Sequence, residues 1–265
     1  MAVGIFSPRK KVLGAEGIGV VDSVGDGVTR FRQGERVLFA TGMALGAHAE
    51  YVCLSEKAAI VPKAPELDGH SAAALGFGGL AALQYLRDLA QLREGEHVLV
   101  TGASGAVGSA AVQIAKVLGA RVTALCSTKN QALVRSLGAD HGVDYTQGYA
   151  FAEGTFDVVM DCIGLLDFSS HRQWLKPRGR FLAVVVTTKG MLQSLASRLT
   201  GASRRLLFGV STEKPDDMKL LQELAVAKRY RVVIGEVFPF EDIVKAHRLV
   251  DTGHKVGNLV VTLGR

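Results

Sequence analysis

The sequence predicts an α/β fold: a doubly wound parallel sheet through its later part, preceded by a smaller, all-β unit. Three observations carry that expectation. From His97 onward, apolar runs, glycine turns and amphipathic stretches alternate several times, the rhythm of parallel strands joined by crossover helices. Before about residue 65 the texture is different, with short β-type runs between glycine-rich turns. At the start of the later region, one apolar run passes directly into three glycines spaced three apart at the head of a helical stretch.

In chain order, the early β runs are Gly19-Val20-Val21, Arg36 to Ala40 and Ala49 to Cys53. The later strands are expected at His97 to Thr101, Arg121 to Cys126, Phe156 to Asp161, Arg180 to Val186 and Leu206 to Val210. Helices are expected at Ala106 to Leu118, Asn130 to Leu137, Phe168 to Leu175 and Asp216 to Lys228. Pro239 to Leu263 reads as one helix and one strand, which either completes the sheet or returns to the β unit. No internal repeat or low-complexity segment interrupts this order.

Composition narrows the function classes. With 265 residues, 48% hydrophobic and 21% charged, the chain is long enough for a substantial core and is not of a disordered or fibrous type. Cys53, Cys126 and Cys162 lie far apart, which excludes a disulfide framework and a cysteine-rich zinc site and suits a reducing compartment. The 31 basic and 25 acidic residues give a net charge of +6, but the basic residues are scattered and no basic, aromatic-rich stretch points to nucleic acid. Mean hydropathy is +0.22, yet the most apolar stretch, Ser71 to Leu86, is broken by glycines and falls short of the ~20 residues a membrane span needs. The N-terminus lacks the apolar core of a signal peptide, so a cytoplasmic protein is expected.

The strongest motif is Val98-Leu99-Val100-Thr101-Gly102-Ala103-Ser104-Gly105-Ala106-Val107-Gly108. Glycines let the backbone turn sharply and approach a pyrophosphate, whose charge the bare amides and dipole of the following helix favour. Gly102, Ser104, Gly105, Ala106, Val107 and Gly108 are therefore candidate cofactor-binding residues. The bland alternative is a tight strand-to-helix turn with close packing.

The next strand decides which dinucleotide is preferred. NAD-selective sites place a carboxylate about 20 residues past the loop, on the ribose 2′-hydroxyl. Between Glu96 and Asp140 there is no Asp or Glu, and the strand ends in Cys126-Ser127-Thr128-Lys129-Asn130. Ser127 and Lys129 suit a 2′-phosphate, so NADP(H) is expected over NAD(H). Ser127 and Asn130 as helix caps are the alternative. Cys162-Ile163-Gly164 follows a later strand and is expected near the nicotinamide, because ligands sit beyond the carboxyl ends of such strands. No base stands beside Cys162 in the sequence to make it a nucleophile.

Further segments carry a family resemblance. Val12-Leu13-Gly14-Ala15-Glu16-Gly17, Phe31-Arg32-Gln33-Gly34-Glu35-Arg36-Val37, Gly46-Ala47-His48-Ala49-Glu50-Tyr51-Val52, Leu137-Gly138-Ala139-Asp140 and Gly257-Asn258-Leu259-Val260, together with the glycine loop, span nearly the whole chain. Their order resembles the medium-chain dehydrogenases/reductases, in particular the zinc-independent quinone oxidoreductase branch that includes zeta-crystallin and the reticulon-interacting oxidoreductases. The resemblance implies a Rossmann domain joined to a GroES-like β domain to which the last helix and strand return. The expected division is a partial GroES-like domain and linking helix at 1–93, a Rossmann domain at 94–235 and a returning segment at 236–265.

It also implies Tyr145 as an adenosine-side contact and dimers joined through edge strands, with Leu206 to Val210 either such an edge or an interior strand. Zinc-dependent members carry Gly-His-Glu where this chain has Gly14-Ala15-Glu16, and Ala15 cannot ligate a metal, so zinc-assisted catalysis is not expected. A short-chain reductase is excluded because none of the five tyrosines is followed by Lys four positions later. Members of the family begin with further strands ahead of the segment matching Met1 to Lys11, so a shortened N-terminus is expected.

The expected activity is hydride transfer from NADPH to a quinone or other conjugated carbonyl, with no catalytic residue assigned, since water can protonate a reduced quinone. Phe77 to Ala81 matches a segment that family members place near the cofactor, often with Thr where Ala81 stands. The alternative is a non-catalytic NADPH-binding or interaction protein on the same scaffold.

Overall fold

A computed structural model describes residues 10–199 and 203–264, and the side chains of 196–199 are outside the description. The described residues divide into two compact units, one up to Leu80 together with the chain from Thr212, the other within Ala81–Ser211. The opening segment Met1 to Arg9 lies outside the described residues.

In the first unit, β1 (Glu16–Val20), β2 (Arg36–Ala40) and β3 (Ala59–Pro62) form an antiparallel sheet in that order. Its core is small: Phe31, Val37, Phe39 and Ile60. The expected strand at Ala49 to Cys53 is irregular instead, with Tyr51 59% exposed. Alternation marks a run able to pair, but pairing needs a free edge in register, and β3 is formed by the more apolar Ala59–Pro62. The short helix α1 (Gly69–Ala73) is capped by Asp68, whose carboxylate accepts from the Ser71 amide at 2.9 Å. Helix α2 (Gly76–Leu83) follows.

The second unit holds β4 (His97–Thr101), α3 (Ala106–Val117), β5 (Arg121–Cys126), α4 (Gln131–Ser136), β6 (His141–Asp144), β7 (Phe156–Asp161), α5 (Phe168–His171), β8 (Leu175–Ala183), α6 (Thr188–Leu199) and β9 (Arg205–Leu207). All six strands are parallel, in the order β6-β5-β4-β7-β8-β9. This is the doubly wound order, reversing direction between β4 and β7. The central strands read as continuous apolar runs because helices cover both faces: Val98, Leu99, Val100, Val158, Val159 and Met160 are fully buried.

β6 and α6 lie outside the sequence expectations. The four residues His-Gly-Val-Asp of β6 carry too little apolar character to signal a strand, and tertiary pairing to β5 supplies what propensity does not. β8 begins at Leu175 rather than Arg180, because a register irregularity lets the strand run through Pro177 and Gly179. The helix expected through Leu175 therefore stops at His171, followed by one 3-10 turn. β9 is an edge of the sheet among the described residues, which decides between edge and interior for the Leu206 run.

The chain then returns to the first unit through α7 (Pro215–Val226), β10 (Ile234–Pro239), α8 (Ile243–Asp251) and β11 (Asn258–Thr262). α7 starts with Pro215 at its first turn beside Asp216 and Asp217, each suited to a helix N-terminus. Gln222 of α7 clips it to β3, accepting from the Ala64 amide at 2.8 Å and donating to the Pro62 carbonyl at 3.1 Å. β10 and β11 pair in parallel, so the final helix and strand return rather than complete the larger sheet. No described helix is long and apolar enough to cross a membrane.

Candidate functional site

The reversal point of the six-stranded sheet brings the sequence-marked residues together. Thr101 ends β4 opposite Asp161 at the end of β7, and the glycine turn starts at the next residue. Gly102 takes φ +59°, a left-handed value that favours glycine. A side chain there would lie 2.6 Å from Ile163 Cγ2, and a Cβ on Gly108 would lie 2.1 Å from the Gly102 carbonyl oxygen. These two glycines hold the turn against the first turn of α3. A Cβ on Gly105 would meet only the Gly102 carbonyl oxygen, at 3.3 Å, a tight contact but a milder one than at Gly102 or Gly108.

The Gly105 amide donates to the Gly102 carbonyl at 2.9 Å, and the first helical bond runs from the Ser109 amide to the Gly105 carbonyl at 2.9 Å. Helix geometry therefore leaves the amides of Ala106, Val107 and Gly108 without intrahelical partners. No side chain caps them and no acidic residue stands in the first turn of α3. The result is a set of bare donors at a helix start with no carboxylate in its first turn, and it fits an anionic pyrophosphate.

Beside it lies a polar cluster at the end of β5. Asn130 donates its side-chain amide to Ser104 Oγ at 2.9 Å and, more weakly, to Ser127 Oγ at 3.3 Å. Neither Ser127 nor Asn130 makes a side-chain cap, so these residues join the two loops instead of closing a helix end. Lys129 is exposed and forms no ion pair among the described residues.

Parallel pairing places Asp144 beside Cys126, which puts a carboxylate at this strand end that the spacing along the chain does not reveal. Thr128 Oγ1 donates to Asp144, and the Thr146 amide and hydroxyl do so at 2.9 and 2.7 Å. The Thr128 hydroxyl above all holds the Asp144 carboxyl below the usual range. Tyr145 follows it in a 3-10 turn and is 41% exposed.

On the other side of the reversal point, Cys162 is buried and its amide donates to Thr101 Oγ1 at 3.3 Å. Burial, reinforced by the Asp161 charge, pushes its thiol far up, so it holds its proton and is no nucleophile at neutral pH. Asp161, which sequence reading missed as a functional residue, gathers four donors. Thr101 Oγ1 approaches at 2.6 Å and the amides of Ile163, Leu165 and Leu166 at 3.3, 3.2 and 2.9 Å. Its position as the polar end of an apolar strand, matching Thr101 at the end of β4, is the signal that could have found it.

The first unit, taken by itself, holds a titratable group of its own. Glu16 Oε2 accepts from the Gly76 and Phe77 amides at 2.7 and 2.8 Å, capping α2 from another element. Burial pushes its carboxyl up to about 7, against the two amides that lower it. In the same unit His48 and His247 stack edge to face, ring centroids 5.6 Å apart. Among the described residues no group of three or more His, Cys, Asp or Glu is placed to hold a metal ion.

Comparison with known proteins gives two family matches: the alcohol dehydrogenase GroES-like domain over residues 3–66 and the zinc-binding dehydrogenase family over 137–261. The chain is 32% identical to the chloroplastic quinone-oxidoreductase QR1 of Triphysaria versicolor, over 97% of this chain and 82% of that protein. It is 31% identical to the mitochondrial NAD(P)H oxidoreductase RTN4IP1 of Mus musculus, over 95% of this chain and 70% of that one. The solved quinone oxidoreductase of Coxiella burnetii superposes with a TM-score of 0.85 at 29% identity, covering 95% of this chain and 79% of its own.

Proposed function

Because the chain belongs to the medium-chain dehydrogenase/reductase superfamily, with quinone oxidoreductases among its relatives, we propose that it is an NADPH-dependent, zinc-independent oxidoreductase acting on a quinone or other conjugated carbonyl. The observation that carries the reading is the uncapped start of α3 at the reversal point of the sheet. NADP(H), when bound, supplies the hydride.

The chain's own residues bind and orient. The free amides of Ala106, Val107 and Gly108, with Ser104 beside them, hold the pyrophosphate, and the Gly105 amide, bonded to the Gly102 carbonyl, shapes the turn. Ser127 and Lys129 receive the 2′-phosphate, and Asp144, engaged by Thr128 and Thr146, leaves Lys129 uncommitted. Tyr145 flanks the adenosine and Cys162, as a neutral thiol, lines the nicotinamide end of the crevice. A named mitochondrial relative described as an NAD(P)H oxidoreductase supports the cofactor class. Unpaired cysteines suit a reducing compartment such as the cytoplasm, and the β9 edge suits pairing with a second copy, which size-exclusion chromatography tests.

The experiment is NADPH oxidation with a panel of quinones and enones. Saturable turnover is expected, with NADPH bound more tightly than NADH. Tight NADPH binding with no turnover across the panel would move the protein to the non-catalytic reading, and equal or tighter binding of NADH would remove the cofactor preference.

A further inference from the structure

We propose that Asp161 biases the bound cofactor toward its oxidised form, so that the chain binds NADP+ more tightly than NADPH. The inference rests on the cofactor reading above and concerns the nicotinamide end of that site. β4 continues to β5 on one side and β7 to β8 on the other, so the crevice opens beyond the paired residues Thr101 and Asp161.

Asp161 is 1% exposed and Thr101 is fully buried. A buried carboxylate is costly unless a cation or a full set of donors meets it. Here the donors are one hydroxyl and three amides, all neutral, and no ion pair reaches Asp161 among the described residues. Dipoles satisfy the oxygen lone pairs but leave a net negative charge at the mouth of the crevice. The Cys162 thiol and the Tyr149 phenol lie close enough for that charge to act on them, and both are pushed up, by burial first and by Asp161 second.

The two forms of the cofactor differ only at the nicotinamide, neutral when reduced and cationic when oxidised. A fixed, poorly screened negative charge therefore distinguishes them, whereas a device that merely shapes the loop holds both alike. The same four bonds keep Thr101 and the 162–166 loop in place, so removing the carboxylate affects position as well as charge. The ratio of the two affinities separates the effects.

The test measures the dissociation constants of NADP+ and NADPH separately, by calorimetry, on the wild type, Asp161→Asn and Asp161→Glu. The wild type is expected to favour NADP+. Asp161→Asn should shift the ratio toward NADPH by at least about tenfold, since one charge within ~12 Å at an effective dielectric constant near 20 has at least that effect, while Asp161→Glu keeps the wild-type ratio. Equal weakening of both forms in Asp161→Asn, with the ratio unchanged, overturns the proposal and leaves a positioning role. Should Asp161→Asn not fold, the wild type decides: NADPH bound more tightly than NADP+ overturns it. A wild type that binds neither nucleotide instead overturns the cofactor reading itself.

Discussion

The side-chain amide of Asn130 donates to Ser104 Oγ at 2.9 Å, joining residues 26 positions apart in the sequence. One belongs to the glycine turn after β4 and the other to the turn after β5. The bond orders both loops before any ligand arrives, and order already present is entropy that binding need not remove.

Asn130→Ala should therefore weaken NADPH binding by about tenfold through lost pre-organisation, a modest share of a typical hydrogen-bonded contact. Ser104 and Ser127 can turn to water in its absence, so the melting temperature should stay within a few degrees. A fluorescence titration of NADPH reads the effect. Unchanged affinity would show that the two loops are held by packing alone.

The glycines of the same turn differ in what they protect. A methyl on Gly108 meets the Gly102 carbonyl at 2.1 Å, and backbone cannot yield as a flexible side chain does. Gly108→Ala is expected to cost about 1–3 kcal/mol and lower the melting temperature by several degrees. A Cβ on Gly105 meets only the Gly102 carbonyl oxygen, at 3.3 Å, so Gly105→Asp should fold with a smaller loss of stability than Gly108→Ala yet abolish NADPH binding by placing a carboxylate where the pyrophosphate sits. Thermal melts and binding titrations on both variants check the contrast; a Gly105→Asp protein that binds NADPH normally would remove the pyrophosphate from this turn.

Much of this was legible in the sequence for a physical reason. Strands β4, β5 and β7 are apolar on both faces, and α3 carries a helical pattern directly after a glycine turn, so local signals and tertiary context agree. β6 was hidden because its four residues pair only by virtue of β5, and with it Asp144 was hidden too. The absence of acids from 97 to 139 is a statement along the chain; the carboxylate reaches the end of β5 from the neighbouring strand. Ala49 to Cys53 failed in the opposite sense, alternating without joining a ladder among the described residues.

Asp144 tests the electrostatic basis of cofactor choice. It sits beside the strand end that is to hold a 2′-phosphate, and its charge opposes that phosphate however well Thr128 and Thr146 engage it. Asp144→Asn should raise the preference for NADPH over NADH by about three- to tenfold, and Lys129→Ala should lower it by a similar factor. Ratios of kcat/KM for the two nucleotides measure both. Opposite signs are required; if the two variants move the ratio the same way, the phosphate lies elsewhere.

Glu16 predicts a pH dependence of stability that belongs to the first unit alone. Its carboxyl is pushed from 4.5 up to about 7 by burial, so between those values the folded chain holds a proton that the unfolded chain has released. A raised carboxyl contributes stability that is fully present below pH 4.5 and is lost as pH rises through 7. The whole swing is at most about 3 kcal/mol, at 1.36 kcal/mol per pH unit of displacement. Gln in this position mimics the protonated acid and still offers one oxygen to the Gly76 and Phe77 amides. Glu16→Gln should thus match the wild type near pH 4 and melt several degrees higher near pH 8. Taking the difference between the two proteins cancels every other titrating group they share. A difference that stays flat from pH 5 to 8 would mean that the Glu16 carboxyl ionises freely and that its two amide bonds outweigh its burial.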